Sequence, residues 1–262
     1  MSGHAALVAA ADYDGTLCRD RKVSAEDLAA IATWRAAGHR FGIATGRDLG
    51  MMRHESERWN IPYDFLVCCC GAVLYDQADR ELRRIDIDDA LIPRLLRHPM
   101  TAASFHFELS RHGQTLLHVQ DERSRFPALG VSYVPLSHAE ALALTGLQLI
   151  SFVFATTAES AAFSDMVMSE FAGRLRSHQN GANVDVTAWP VDKAEGLLVL
   201  CGLCGWSEPQ VEPLVIGDSE NDLPMLRRFH GFAMATAPES VRRQAAAVYP
   251  DVGSMLRHRM AL

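Results

Sequence analysis

Short apolar runs, each ending in a polar turn, recur at both ends of this 262-residue chain, and the rhythm breaks in between. The first run, Ala5 to Ala11, reads as a buried strand that empties into Asp12-Tyr13-Asp14-Gly15-Thr16-Leu17. Ser24 to Ala37 has helical apolar spacing, with Ser24 and Asp27 placed like a capping box and Gly38 as the stop. Arg40 to Ala44 reads as a second strand, ending at Thr45-Gly46-Arg47. Asp48 to Trp59 then reads as a helix and Asp64 to Cys69 as a third strand. Strand, helix, strand, helix, strand is the pattern of a parallel sheet, so the expected class is α/β.

From about Glu81 to Thr187 strands outnumber helices. Ser104 to Leu109, Thr115 to Val119 and Leu149 to Ala155 read as strands, Glu159 to Ala172 as a helix, and Arg174 to His178 and Val184 to Thr187 as short strands. This predicts an α+β module inserted in the chain, with residues 1–80 and 188–262 as the core and 81–187 as the insertion. Trp189-Pro190 marks the return. A helix from Asp192 to about Cys201 leads to a strand, Pro213 to Gly217. The turn Asp218-Ser219-Glu220-Asn221-Asp222 opens a helix at Leu223 or Pro224. Gly231 to Ala235, a helix from Pro238 and a closing helix from Val252 complete the core.

A net charge of -7 argues against a nucleic-acid partner, which requires a basic footprint. It leaves room for an anionic small substrate, because a metal and a few local cations set the field of a cleft. No apolar run reaches the length of a membrane span, and the N-terminus lacks a signal-peptide pattern. Among the six cysteines, Cys68-Cys69-Cys70 are adjacent and poor disulfide partners, which points to a reduced, cytoplasmic protein. Oligomeric state is left open.

Four motifs fall after expected strands or at helix starts: Asp12-x-Asp14, Thr45-Gly46-Arg47, Lys193, and Asp218 with Asn221-Asp222. If their strands are adjacent, they converge on the crevice beyond the carboxyl ends of the sheet. Like charges about 4 Å apart repel by roughly 1 kcal/mol in water and about 4 kcal/mol at an effective dielectric near 20. A cluster of Asp12, Asp14, Asp218 and Asp222 therefore needs a cation, and carboxylate oxygens suit magnesium. Lys193 adds a fixed positive charge, and Thr45 adds a hydroxyl beside the backbone amides of a helix start. Together they describe phosphoryl transfer. Asp12, deeper toward the strand, suits a nucleophile, and Asp14, past it, suits the general acid and base.

These motifs, in this order, resemble those of the haloacid dehalogenase (HAD) superfamily of phosphatases. The large insertion between the second and third resembles the cap of the Cof-type, sugar-phosphate branch, which has mannosylglycerate- and sucrose-phosphate-phosphatase-like members. The resemblance implies a Rossmann-like core, a bound magnesium and an α/β cap that closes over a small phosphorylated substrate. It makes Asp12 nucleophile and metal ligand, and Asp14 acid/base and metal ligand through its carbonyl. Thr45, Gly46 and Lys193 would hold the phosphoryl group, and Asn221 would contact the phosphate or Lys193. Asp218 would bind the metal, and Asp222 would bind it or orient a water. Asp185 matches an acidic position shortly before the lysine. Cys70-Gly71-Ala72 departs from the usual Asn-Gly-Ala, which weakens any substrate contact at Cys70.

Other residues carry blander expectations. Cys201-x-x-Cys204 reads as inert, and His106, His112 and His118 as surface or strand-face histidines more than substrate ligands. Arg47 either reaches substrate or braces the cap. The function expected is a magnesium-dependent phosphomonoesterase. Its rivals are a phosphotransferase or mutase using the same aspartyl-phosphate, and a non-catalytic binder of phosphorylated ligands.

Overall fold

The computed structural model describes residues 6–206 and 212–261. Ala5, at the start of the expected first strand, lies outside them. The described chain forms two large sheets, each with its own apolar core.

The first sheet has eight strands. Val8–Ala11 lies inside it, parallel to Arg40–Ala44 on one side and to Leu214–Gly217 on the other. Every residue of Val8–Ala11 is buried, as expected for a strand covered on both faces. Phe65–Cys68 continues the parallel order beyond Arg40–Ala44, and Phe232–Met234 and Ala247–Tyr249 continue it beyond Leu214–Gly217. Chain order thus reverses beside Val8–Ala11, which creates the crevice where ligands bind in open α/β sheets. Asp12, Thr45, Cys69 and Asp218 each follow directly on one of four adjacent parallel strands.

Two antiparallel strands, Val73–Asp76 and Glu81–Arg84, finish one edge of this sheet. The second of these was expected to open the insertion at residue 81, but it pairs back onto the core. The changeover lies between Ile85, packed on the first core, and Ile87, buried in the second. Its charged composition, Glu-Leu-Arg-Arg, suits a solvent-exposed edge and hides a strand from apolar periodicity.

The second sheet runs, in spatial order, through Val134–Pro135, Gln114–Val119, His106–Arg111, Leu149–Val153, Asn183–Ala188 and Leu175–Asn180. Alternation sends Phe107, Leu109, Ile150, Phe152, Val184 and Val186 into the second core, where Phe163 and Val167 of helix Thr157–Glu170 meet them. Polar residues, with Leu149 and Val153 among them, line the opposite face, which looks onto the first sheet's crevice.

Most expected elements are present with shifted ends, as with His106–Arg111 for Ser104 to Leu109 and Phe65–Cys68 for Asp64 to Cys69. The helix expected from Pro238 is a single turn, Glu239–Arg242. The edge strand Ala247–Tyr249 had no expectation.

Candidate active site

Lys193 opens the helix Lys193–Leu203, which Asp192 caps by accepting from the Glu195 N–H at 2.8 Å. Its side chain is 1% exposed and its ammonium donates to Asp12 Oδ1 and Asp222 Oδ1, each at 2.6 Å. Asp222 Oδ2 in turn accepts from the backbone N–H groups of Asp218 and Ser219 at 3.0 and 3.1 Å. The tight turn after Leu214–Gly217 thus folds around the carboxylate of Asp222. Asp218 accepts from the Thr16 hydroxyl at 2.7 Å. Gly15 makes this approach possible: at φ +86° it takes a conformation that favours glycine, and a Cβ there would lie 2.3 Å from Asp218 Oδ2.

Asp12, Asp218 and Asp222 each offer a carboxylate oxygen, and these lie within 4.8 Å of one another. Three carboxylates around one ammonium leave a surplus of negative charge. Burial, followed by the Asp222 charge, pushes the Asp12 carboxyl well above the carboxylate range, and Lys193 only partly offsets this. Burial chiefly raises Asp218 too. Burial alone would lower Lys193, but Asp12 and Asp222 overcome it and hold the ammonium above the usual lysine range. Burial is the main cause of the raised carboxyls, and the surplus negative charge adds to it while lifting the ammonium. The all-oxygen donor set fits a hard divalent cation.

The Asp14 carboxylate does not join this cluster. Both its oxygens accept from Arg47, Nε and Nη2 each at 2.8 Å, and the Asp14 side chain is 52% exposed. Arg47 is held on two further sides. Its guanidinium carbon lies 4.9 Å from the Tyr13 ring centroid, and Nη1 lies 3.6 Å from Glu55 Oε1. Tyr13 donates its hydroxyl to Glu55 Oε2 at 2.6 Å, which closes the network. Arg47 therefore braces Asp14 in this state, and it also lines the cleft.

Thr45 is buried, and its hydroxyl oxygen accepts from the Arg47 N–H at 3.1 Å. Gly46 packs against the other sheet so closely that a Cβ would lie 2.6 Å from Asp185 Oδ2. Asn221 lines the cleft, with its Oδ1 accepting from the Ser219 hydroxyl at 2.6 Å while Lys193 is engaged by Asp12 and Asp222. Cys70 sits in the left-handed region, φ +54°, fully buried, with its thiol 3.4 Å from Asp185 Oδ2. An asparagine tolerates that backbone and a cysteine does so less readily.

The cleft between the sheets has a volume of about 530 Å³. Asp12, Asp14, Thr45 and Arg47 line one end, and Glu108, Ser151, Asp185 and His178 face them from the second sheet. Burial pushes the Glu108 and Asp185 carboxyls up, and it holds His178 neutral by pulling it down to about 3. Glu108, Ser151 and His178 were not singled out from sequence, although the apolar alternation through Phe107 and Leu109 marks Glu108 as facing the other way. Of the three expected cap histidines, His106 lines the cleft. His112 pairs with Arg84, and the His118 ring meets the Leu136 carbonyl.

Asp48 joins the two sheets. Its Oδ1 caps the helix Leu49–Trp59 by accepting from the Met51 N–H at 2.9 Å. Its Oδ2 accepts from the Thr115 hydroxyl at 2.6 Å, with the Ser110 hydroxyl at 3.5 Å. Beside it the Gly50 N–H donates to the Gly113 carbonyl at 2.9 Å.

Cys201 and Cys204 are free thiols in a helix and its cap, and no acidic or sulfur cluster surrounds them among the described residues. No helix among those residues is long and apolar enough to cross a membrane.

Over residues 9–253 the sequence matches the haloacid dehalogenase-like hydrolase family. The chain belongs to that family. A hydrolase of HAD/Cof-like type from Plasmodium vivax superposes with a TM-score of 0.83 at 23% identity, covering 99% of this chain and 97% of its own. A HAD subclass IIB sugar phosphatase superposes with a TM-score of 0.82 at 19% identity, covering 98% of this chain and 100% of its own. At these identities the likeness is one of fold. A phosphoglycolate phosphatase from Methanopyrus kandleri is 37% identical over 79 residues, 30% of this chain and 33% of that protein. The chain thus aligns with about a third of that relative's length.

Proposed function

We propose that the enzyme is a magnesium-dependent phosphomonoesterase for a small phosphorylated metabolite, a sugar phosphate above all, working through an aspartyl-phosphate on Asp12. The observation that carries this is the buried Lys193 bridge, which occupies one oxygen of Asp12 and leaves the other for phosphorus. Thr45, Gly46, Lys193 and Asn221 would hold the phosphoryl oxygens. Magnesium on Asp12, Asp218, Asp222 and the Asp14 carbonyl would supply charge neutralisation between nucleophile and phosphoryl group.

Asp12 then forms a bond to phosphorus as the ester oxygen departs, and Asp14 gives that oxygen its proton. Asp14 next takes a proton from water as the water oxygen attacks phosphorus, which releases phosphate and restores the Asp12 carboxylate. Arg47 positions Asp14 before substrate arrives. The second sheet with its helices, residues 86–187, serves as the cap that excludes bulk water and reads the leaving group. The sugar phosphatase fold and the partial match to a phosphoglycolate phosphatase both support phosphate-ester chemistry and differ over the leaving group. The run of free cysteines favours a cytoplasmic setting.

The test is phosphate release from a panel of phosphorylated sugars, glycerates and nucleotides, with magnesium or with chelator. Metal-dependent release is expected, and Asp12→Asn should lower it about 10⁴-fold or more. Normal turnover by Asp12→Asn would sink the assignment. Transfer of the phosphoryl group to a second sugar hydroxyl rather than to water would replace it with the mutase.

A further inference from the structure

The cap face over the cleft carries chemistry that holding a phosphoryl group does not require. Strand register sets four polar side chains in one row across four adjacent strands. Glu108 lies opposite Ser151, Ser151 opposite Asp185, and Asp185 opposite His178. All four line the cleft that contains Asp12 and Asp14. Apolar neighbours on the same strands, Phe107, Phe152 and Val184 among them, face away into the cap core. The row is thus a continuous polar layer that those strands turn toward the cleft, flanked there by His106, Ser110, Asn180 and Asn183.

Its two carboxylates are held in place. His106 Nε2 lies 3.3 Å from Glu108 Oε1, and His106 Nδ1 lies 2.8 Å from the Ser124 hydroxyl. If Ser124 donates to Nδ1, Nε2 carries the proton and donates to Glu108, which fixes both ring orientation and carboxylate. Asp185 is steadied by Ser151 and by the Cys70 thiol. Glu108 Oε2 and the remaining lone pairs stay available to a ligand. Two of the cations lining this cleft are paired with carboxylates. The Arg47 fork is taken by Asp14, while Arg123 is 63% exposed and paired with Asp121. Arg125 is exposed.

A pair of oriented, poorly compensated carboxylates accepts hydrogen bonds and repels anions. A volume of about 530 Å³ also exceeds what a two-carbon leaving group needs. We propose that Glu108 and Asp185 determine specificity: they select a leaving group that presents hydroxyl or ammonium donors, and they reject one that carries a carboxylate. This rests on the phosphomonoesterase reading of the core site and adds the part that chooses among esters. It predicts discrimination against phosphoglycolate, the ester in the name of the partial relative.

The experiment compares a phosphorylated hexose, a phosphorylated amino sugar and phosphoglycolate at saturating magnesium. The natural protein, Glu108→Gln and Asp185→Asn are assayed together, since each replacement keeps shape and removes charge. The natural protein should favour the hexose and amino-sugar esters in kcat/KM. Each variant should narrow that preference at least about tenfold, the effect of one charged acceptor. Calorimetric titration of the same esters into Asp12→Asn, with and without Glu108→Gln, reads the selection without turnover. Parallel changes for all three esters, or phosphoglycolate bound and hydrolysed best, would overturn the proposal. Absence of binding by every ester overturns it as well. Absence of hydrolysis with a binding preference that depends on Glu108 would uphold the selection and remove the hydrolytic reading alone.

Discussion

Thr16 offers the sharpest test of how the acidic cluster is supported. It is fully buried in the turn after Asp14, and its hydroxyl donates to Asp218 Oδ1 at 2.7 Å. Thr16→Val closely matches its shape and removes that donor. A hydrogen bond to a charged group contributes about 1.5–3 kcal/mol, so cation affinity should fall roughly 10- to 150-fold. Loss of a group that orients a metal ligand has a similar scale, about 10- to 100-fold. The assay is phosphate release against magnesium concentration. Half-activation should move up by that factor, while kcat at saturating magnesium changes little. Burial already raises the Asp218 carboxyl, and the Thr16 bond, with the Lys193 charge behind it, offsets only part of that rise. Without Thr16 the proton holds Asp218 more tightly, so the deficit should grow as pH falls and shrink as pH rises. Thr16→Ser keeps the donor and should recover most of the affinity. An unshifted magnesium dependence in a folded Thr16→Val protein would refute the reasoning.

Arg47→Lys cannot span both oxygens of Asp14 or lie flat on Tyr13, so kcat should fall about 10- to 100-fold with a smaller change in KM, measured by steady-state kinetics. Asp64 accepts two hydrogen bonds from Arg35 and one from the Phe41 N–H. Burial raises its carboxyl, but Arg35 and that N–H outweigh burial and leave it below the usual range. Its stabilisation is therefore present above the unfolded value near 3.9 and lost as pH falls through the lower folded value. Asp64→Asn should cost about 2–3 kcal/mol in urea melts at neutral pH, with the gap to the natural protein closing in acid. Gly50→Ala would bring a Cβ within 2.7 Å of the Gly113 carbonyl. The helix gains up to about 1 kcal/mol of propensity, so global stability should hold while hydrogen exchange at position 50 quickens; unchanged exchange there would contradict the docking described.

The centre of the fold could be read from the chain because each signal is local. An apolar run followed by Asp12, Thr45 or Asp218 reports a strand and its end in a few residues. The Glu81–Arg84 edge could not be read this way, because three of its four residues are exposed and its sequence is mostly charged. The row from Glu108 to His178 depends on register between distant segments, which no single segment encodes. Arg47 shows a third kind of difficulty. Its identity allowed a contact with substrate or a brace on the cap, whereas its fork holds Asp14, between Tyr13 and Glu55, all three of them residues of the core.

Asp48 couples two events that could otherwise run on separate clocks. The same carboxylate secures the first turn after the Thr45-Gly46-Arg47 loop and grips the cap hairpin through Thr115. A swing of the cap that withdraws Thr115 frees one Asp48 oxygen to relax, and with it the start of the helix behind that loop. On the proposed phosphatase reading, egress of phosphate and parting of the two halves would share one mechanical step, so a slower cap would also be a slower exit.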